Sequence, residues 1–276
     1  MIFLCFAFIV LLTPIGSMAG ISVIGGLSRE IKVGGSGAGE KNQGVIILKN
    51  NGEEAQEVKV YQTDYQSFSD GKRLYDEPAG KMARSNASWI SFTPKRLTVP
   101  PEGTSNVNYS IKIPSDKKFV GTYWSMLMVE VISKPSPEEV KPKKGELLTV
   151  GIKSSVRYGI QIVTNIGDTG SHNLKFLTTK IMKEDKKRNY QIDLENIGER
   201  WLKPLIWVEL YDKDGSYIGK FEGGSARLYP GSSGRFNVDL SEVPEGTYKA
   251  LTVADCGGND FFGATYDLEF KDDGSE

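Results

Sequence analysis

Residues 147–162 read Leu147-Leu148-Thr149-Val150-Gly151-Ile152-Lys153-Ser154-Ser155-Val156-Arg157-Tyr158-Gly159-Ile160-Gln161-Ile162. Leu148, Val150, Ile152, Val156, Tyr158, Ile160 and Ile162 share one parity, interrupted only by Ser154. Thr149, Lys153, Ser155, Arg157 and Gln161 occupy the other. A strand turns successive side chains to opposite faces, so this stretch predicts one strand with an apolar and a polar side.

The same period continues outward. Val107, Tyr109, Ile111 and Ile113 alternate up to Pro114, and Val45 to Leu48 leads into Asn50-Asn51-Gly52, a turn signal. Thr122 to Ile132 is a long apolar run, and Leu205 to Tyr211 leads into Asp212-Lys213-Asp214-Gly215 and a return from Tyr217 to Phe221. Strands separated by turn residues at such spacing predict an all-β chain of sandwich type. Pro101-Glu102-Gly103-Thr104 and Gly121-Thr122-Tyr123 find a faint echo in Pro230-Gly231-Ser232 and Gly246-Thr247-Tyr248. The echo predicts two like domains, at 20–165 and 173–271, with Asn165 to Asn173 as linker. Each Tyr that follows Gly-Thr is a candidate tyrosine corner.

Composition restricts the function classes. The chain has 276 residues and a formal net charge of −1, which gives no basic excess for nucleic acid or an anionic membrane. The run Ile2 to Leu12 followed by Ser17-Met18-Ala19 predicts a cleaved export signal over 1–19, too short for an ordinary membrane span. Of the two cysteines, Cys5 leaves with the signal and Cys256 remains single, so the cores must supply the stability. The one histidine, His172, falls in the linker without a local partner for metal or nucleophilic chemistry. Gly34 to Lys41 lacks phosphate-loop spacing, and Asp212 to Gly215 lacks the later ligands of a calcium loop. These features predict a binding protein with no cofactor and no metal, and not an enzyme. Trp89, Trp124, Trp201 and Trp207 occupy positions where core tryptophans are expected.

Residues 21–163 resemble the N-terminal domain of the periplasmic pilus-assembly chaperones, the PapD-like family. The resemblance is carried by Arg29-Glu30-Ile31-Lys32-Val33-Gly34, by Tyr123-Trp124-Ser125-Met126-Leu127 after Gly121, by the Pro/Lys-rich segment 134–146, and by the strand 147–162 with Val156-Arg157-Tyr158. It implies two immunoglobulin-like β-sandwich domains in tandem and a periplasmic location. It also implies that the last strand donates its apolar face to an incomplete protein subunit, pilin-like or another exported β protein. Two basic residues in the interdomain cleft, by position Arg29 and Arg157, would hold the subunit's C-terminal carboxylate. An outer-membrane usher is the further partner that such a protein could meet. The chain departs from the family at Gly159-Ile160-Gln161-Ile162, where an aromatic–Arg–Pro ending is usual, and its second domain matches only in general plan.

The residues themselves point the same way. An exposed edge with alternating apolar side chains is a template for another strand. Leu148, Val150 and Ile152 lie nearest the Pro/Lys segment and are the side chains expected to be free for a partner. The alternative function is a secreted structural or adhesive surface protein using its domains as spacers.

Overall fold

The computed structural model describes residues 20–35, 38–76, 78–132, 156–184 and 187–271. The first sandwich contains β1 (Ile21–Ile24), β2 (Ser28–Val33), β3 (Lys41–Asn50), β4 (Gln56–Ser67), β5 (Arg73–Asp76), β6 (Ile90–Thr93), β7 (Arg96–Val99), β8 (Thr104–Lys112), β9 (Gly121–Val131) and β10 (Arg157–Ile166). One sheet runs β1-β3-β8-β6 and the other β2-β10-β9-β4-β5, with β7 also on β4. The second sandwich contains β11 (Leu174–Glu184), β12 (Lys187–Asn196), β13 (Leu205–Tyr211), β14 (Tyr217–Ser225), β15 (Ser233–Asp239), β16 (Gly246–Asp255) and β17 (Phe261–Phe270). Its sheets run β11-β12-β15 and β14-β13-β16-β17. The chain is thus two immunoglobulin-like β-sandwich domains in tandem.

Period two accounts for each core. Ile46 and Leu48 from β3, Val107 and Ile111 from β8, Leu127 and Val129 from β9, and Ile160 and Ile162 from β10 interleave between the first pair of sheets. Tyr190, Ile192, Leu194, Val208, Leu210, Phe236 and Val238 do so in the second. Each such side chain contributes roughly 1.5–3 kcal/mol as an upper value.

The run on β9 fails to alternate because both of its faces are covered. Leu127 and Val129 face the first core, whereas Trp124 belongs to a separate cluster with Val163 and Tyr229. Tyr229 comes from the second sandwich, and its ring stacks on Trp124 at 4.6 Å and 13°. Polar contacts reinforce this junction. Arg84 Nη2 lies 3.1 Å from Glu199 Oε1, Gln66 Nε2 donates to the Gly231 carbonyl at 2.6 Å, and the Ser69 N–H donates to Ser233 Oγ at 2.9 Å.

Gly121 sits at the tightest point of the junction. Its φ is +76°, and a Cβ there would lie 2.2 Å from the Glu199 carbonyl oxygen. Gly121→Ala combines a left-handed backbone penalty with a clash against main chain that cannot swing away. The expected loss is roughly 2–4 kcal/mol in a urea melt.

Several local expectations meet different outcomes. Tyr248 forms a corner, its hydroxyl donating to the Pro244 carbonyl at 3.0 Å. Tyr123 instead packs its ring on Trp89 at 4.8 Å and Phe119 at 5.3 Å. Trp89 and Trp124 are buried, but Trp201 and Trp207 are not core tryptophans. Trp201 lines the cleft between the sandwiches, and Trp207 turns away from the core with the Lys220 ammonium 3.9 Å above its ring. Both rings carry a stacked cation, and Trp201 also packs at the margin of the Trp124, Val163 and Tyr229 cluster.

Candidate partner-binding edge

The candidate site follows from how the first strand is divided. β1 pairs with β3 in one sheet, and β2 pairs with β10 in the other. The chain crosses between sheets at Gly25 and Gly26, whose φ values of +84° and +80° suit glycine. Arg29 holds this crossing. Its guanidinium donates to the carbonyls of Ile24, Gly25, Gly26 and Ser28 at 2.7–3.0 Å.

The crossing leaves part of β10 uncovered. β10 pairs with β9 along its whole length, Arg157 to Ile166. On its other side β2 reaches only from Gln161 to Ile166. Arg157 to Ile160 therefore have no strand on that side among the described residues. The Gln161 N–H donates to the Leu27 carbonyl, and the Val131 N–H donates to the Val156 carbonyl. Strand alternation then turns the N–H and C=O of Arg157 and Gly159 toward the open side.

Apolar groups border this opening. Val156 just precedes it, Leu27 stands beside it, and Ile24 ends β1 at the crossing; all three are exposed. Tyr158 reaches across the gap between the two sheets and donates its hydroxyl to the Ile21 carbonyl. Gly159 lies under Met126 and Met128, whose sulfurs would stand 3.2 and 3.3 Å from an added Cβ.

Arg157 is an exposed side chain at the start of the opening, 3.2 Å from Glu130 on β9. Arg29 lies opposite Ile162 in the β2–β10 register. Five residues of strand separate that position from Arg157, about 17 Å along the sheet. The two arginines flank the opening, with the Arg29 guanidinium turned back onto the crossing carbonyls. Leu148, Val150 and Ile152 lie outside the described residues.

Beyond Gln161 the edge runs into the interdomain cleft, where the fold assembles groups that no local sequence signal joins. Glu30 Oε1 accepts from Asn165 Nδ2 at 2.7 Å and from Trp201 Nε1 at 2.9 Å. Glu30 Oε2 accepts from Arg227 Nη2 at 3.1 Å. The Arg227 guanidinium stacks on Trp201 at 4.0 Å. Burial pushes the Tyr229 phenol up to about 12, so it stays protonated and donates to Gln161 Oε1 at 2.7 Å.

The linker is also less isolated than its sequence suggests. Nδ1 of His172 faces the Asp260 carboxylate, and Cys256 lines the same cleft of about 460 Å³. Burial, with Asp260 and Asp255 nearby, pushes the Cys256 thiol up to about 11, which leaves it a poor nucleophile at neutral pH.

No known family profile matches the chain, and no curated protein matches it. Solved structures that it resembles include fimbrial chaperones. The class 5 fimbriae chaperone CfaA is 13% identical, with a TM-score of 0.46, over 89% of this chain and 98% of that one. A chaperone–tip adhesin complex of CFA/I fimbriae gives 12% identity and a TM-score of 0.47, over 90% and 98%. The CsuC–CsuE chaperone–tip adhesion subunit pre-assembly complex of Acinetobacter baumannii gives 12% and 0.44, over 91% and 98%. No helix among the described residues is long and apolar enough to cross a membrane.

Proposed function

We propose that the chain is a periplasmic chaperone-like binding protein, without catalytic activity, that holds a partner subunit by strand donation from residues 147–162. The partner is a pilin-like or other exported β protein, delivered in turn to an outer-membrane usher. The observation that carries this reading is the side of β10 from Arg157 to Ile160 that is open among the described residues, bordered by exposed Val156, Leu27 and Ile24. In this reading Arg157 anchors a partner carboxylate. Arg29, whose donors already hold the sheet crossing, keeps the edge open.

Magnitudes assign the work. Two open residues offer four backbone groups, worth roughly 2–6 kcal/mol net when paired. Association itself costs at least about 4 kcal/mol. The backbone groups alone therefore leave at most about 2 kcal/mol, weaker than millimolar binding. Leu148, Val150 and Ile152, worth roughly 5–9 kcal/mol as an upper value if all three become buried, must supply most of the affinity.

Gly159→Pro tests the edge directly. It removes an open N–H, whereas by strand alternation the backbone bonds to β9 belong to its neighbours Tyr158 and Ile160. Gly159→Ala controls for the added Cβ under Met126 and Met128. The exported polypeptide that co-purifies with the chain is expected to bind the proline variant at least ~10-fold more weakly and to be lost from Leu148→Asp and Val150→Asp. Folded variants that all retain the partner would show that the strand is not donated.

A further inference from the structure

β2 is the strand whose extent decides how much of β10 is open, yet it is poorly anchored in its own sandwich. It has six residues and, among the described residues, pairs along one side only, in parallel, the weaker arrangement. Val33 is its one buried residue, with Ile31 packed at the margin of the core. Lys32 reaches Asp168 in an exposed pair, which contributes little. The crossing glycines lie before it and Gly34-Gly35 after it.

Glu30, in the middle of β2, is different. Its carboxylate accepts from Trp201 and Arg227 of the second sandwich and from Asn165 of β10. Arg227 Nη1 also approaches Ser28 Oγ at 3.4 Å, at the first residue of β2 that pairs with β10. The guanidinium is held flat between its stack on Trp201 and the Glu30 ion pair. Side chains of the second sandwich therefore reach over β2 and hold it against β10.

We propose that Glu30 is a positioning residue: through it the second domain fixes β2 on β10 and so sets where the open edge ends. When the latch is released, β2 can lift and a longer stretch of β10, up to Ile166, becomes available to an added strand. The inference rests on the strand-donation reading only for the purpose it gives the edge. The latch itself is a property of the free protein.

Hydrogen–deuterium exchange on the full chain tests it without a partner. In Glu30→Ala and Arg227→Ala, the β2 amides that face β10, those of Arg29, Ile31 and Val33, and the Gln161 amide bonded to Leu27 are expected to exchange on the order of tenfold or more faster. Amides at the far end of β13, Val208 to Tyr211, keep their wild-type rates. Glu30→Gln, which retains an acceptor for Trp201 but loses the ion pair, falls between. Arg84→Ala, which breaks the separate ion pair with Glu199, leaves β2 unchanged. The proposal is overturned if β2 exchange is unaltered in both alanine variants, or if β13 accelerates equally, which would mark a general loss of stability. A latch that behaves as described, combined with undiminished partner binding by Gly159→Pro, would remove strand donation and leave the latch standing.

Discussion

Trp124→Ala is expected to lower the free energy of unfolding by roughly 3–5 kcal/mol, as for other buried tryptophans. Trp124 is 2% exposed, stacks on Tyr229 and donates its indole N–H to the Tyr65 carbonyl at 2.7 Å. Truncation opens a cavity between the sandwiches and leaves that carbonyl without its donor. The junction is the part lost, so the wild type is expected to unfold in one urea transition and Trp124→Ala in two. A double-mutant cycle with Tyr229→Ala should return a coupling of about 0.5–1.5 kcal/mol for the stacked pair. A loss below about 1 kcal/mol with one transition retained would mean that the domains do not depend on this contact.

Asp64→Ala is the second large effect. Asp64 is 1% exposed, and its carboxylate accepts the N–H groups of Gly80, Lys81 and Met82 together with the Ser85 hydroxyl. Alanine would orphan all four donors and free the loop they fold, at an expected cost of about 3–4 kcal/mol. The same site gives a pH dependence. Burial raises the carboxyl, but the bonds from Ser85 and from the Gly80, Met82 and Lys81 amides outweigh it, so the group lies below its ordinary value of 3.8. A depressed carboxyl contributes stability that is fully present above its unfolded value and is lost as pH falls through the folded one. Wild-type stability should therefore decline below about pH 4 more steeply than that of Asp64→Ala, as urea melts across acid pH would show.

Alternation made the strands legible. Val107, Tyr109 and Ile111 face the first core, and the Asp212-Lys213-Asp214-Gly215 turn joins β13 to β14 through N–H donation from Asp214 and Ser216 to Asp212. The edge was legible in part, since Val156 and Arg157 marked the strand. What the sequence could not display was the sheet crossing at Gly25-Gly26, because a change of partner leaves the period of each strand unaltered. Arg29 illustrates the difficulty. The resemblance implies a carboxylate-binding role for it, and the folded crossing shows in addition four carbonyls converging on it. Glu30, Arg227 and Tyr229 were invisible for a related reason. They meet across nearly two hundred residues, and each alone is an ordinary surface or core residue. His172 was read as isolated because Asp260 and Cys256 reach it only through the turn between β16 and β17.

Amide exchange at Gly159 and Arg157, measured by NMR in the free chain and in its co-purified complex, tests the account most directly. The open edge predicts fast exchange at both amides in the free protein. In the complex they should slow at least ~100-fold as a partner strand takes them up. Unchanged fast exchange at both positions in a stoichiometric complex would place the partner elsewhere and contradict strand donation.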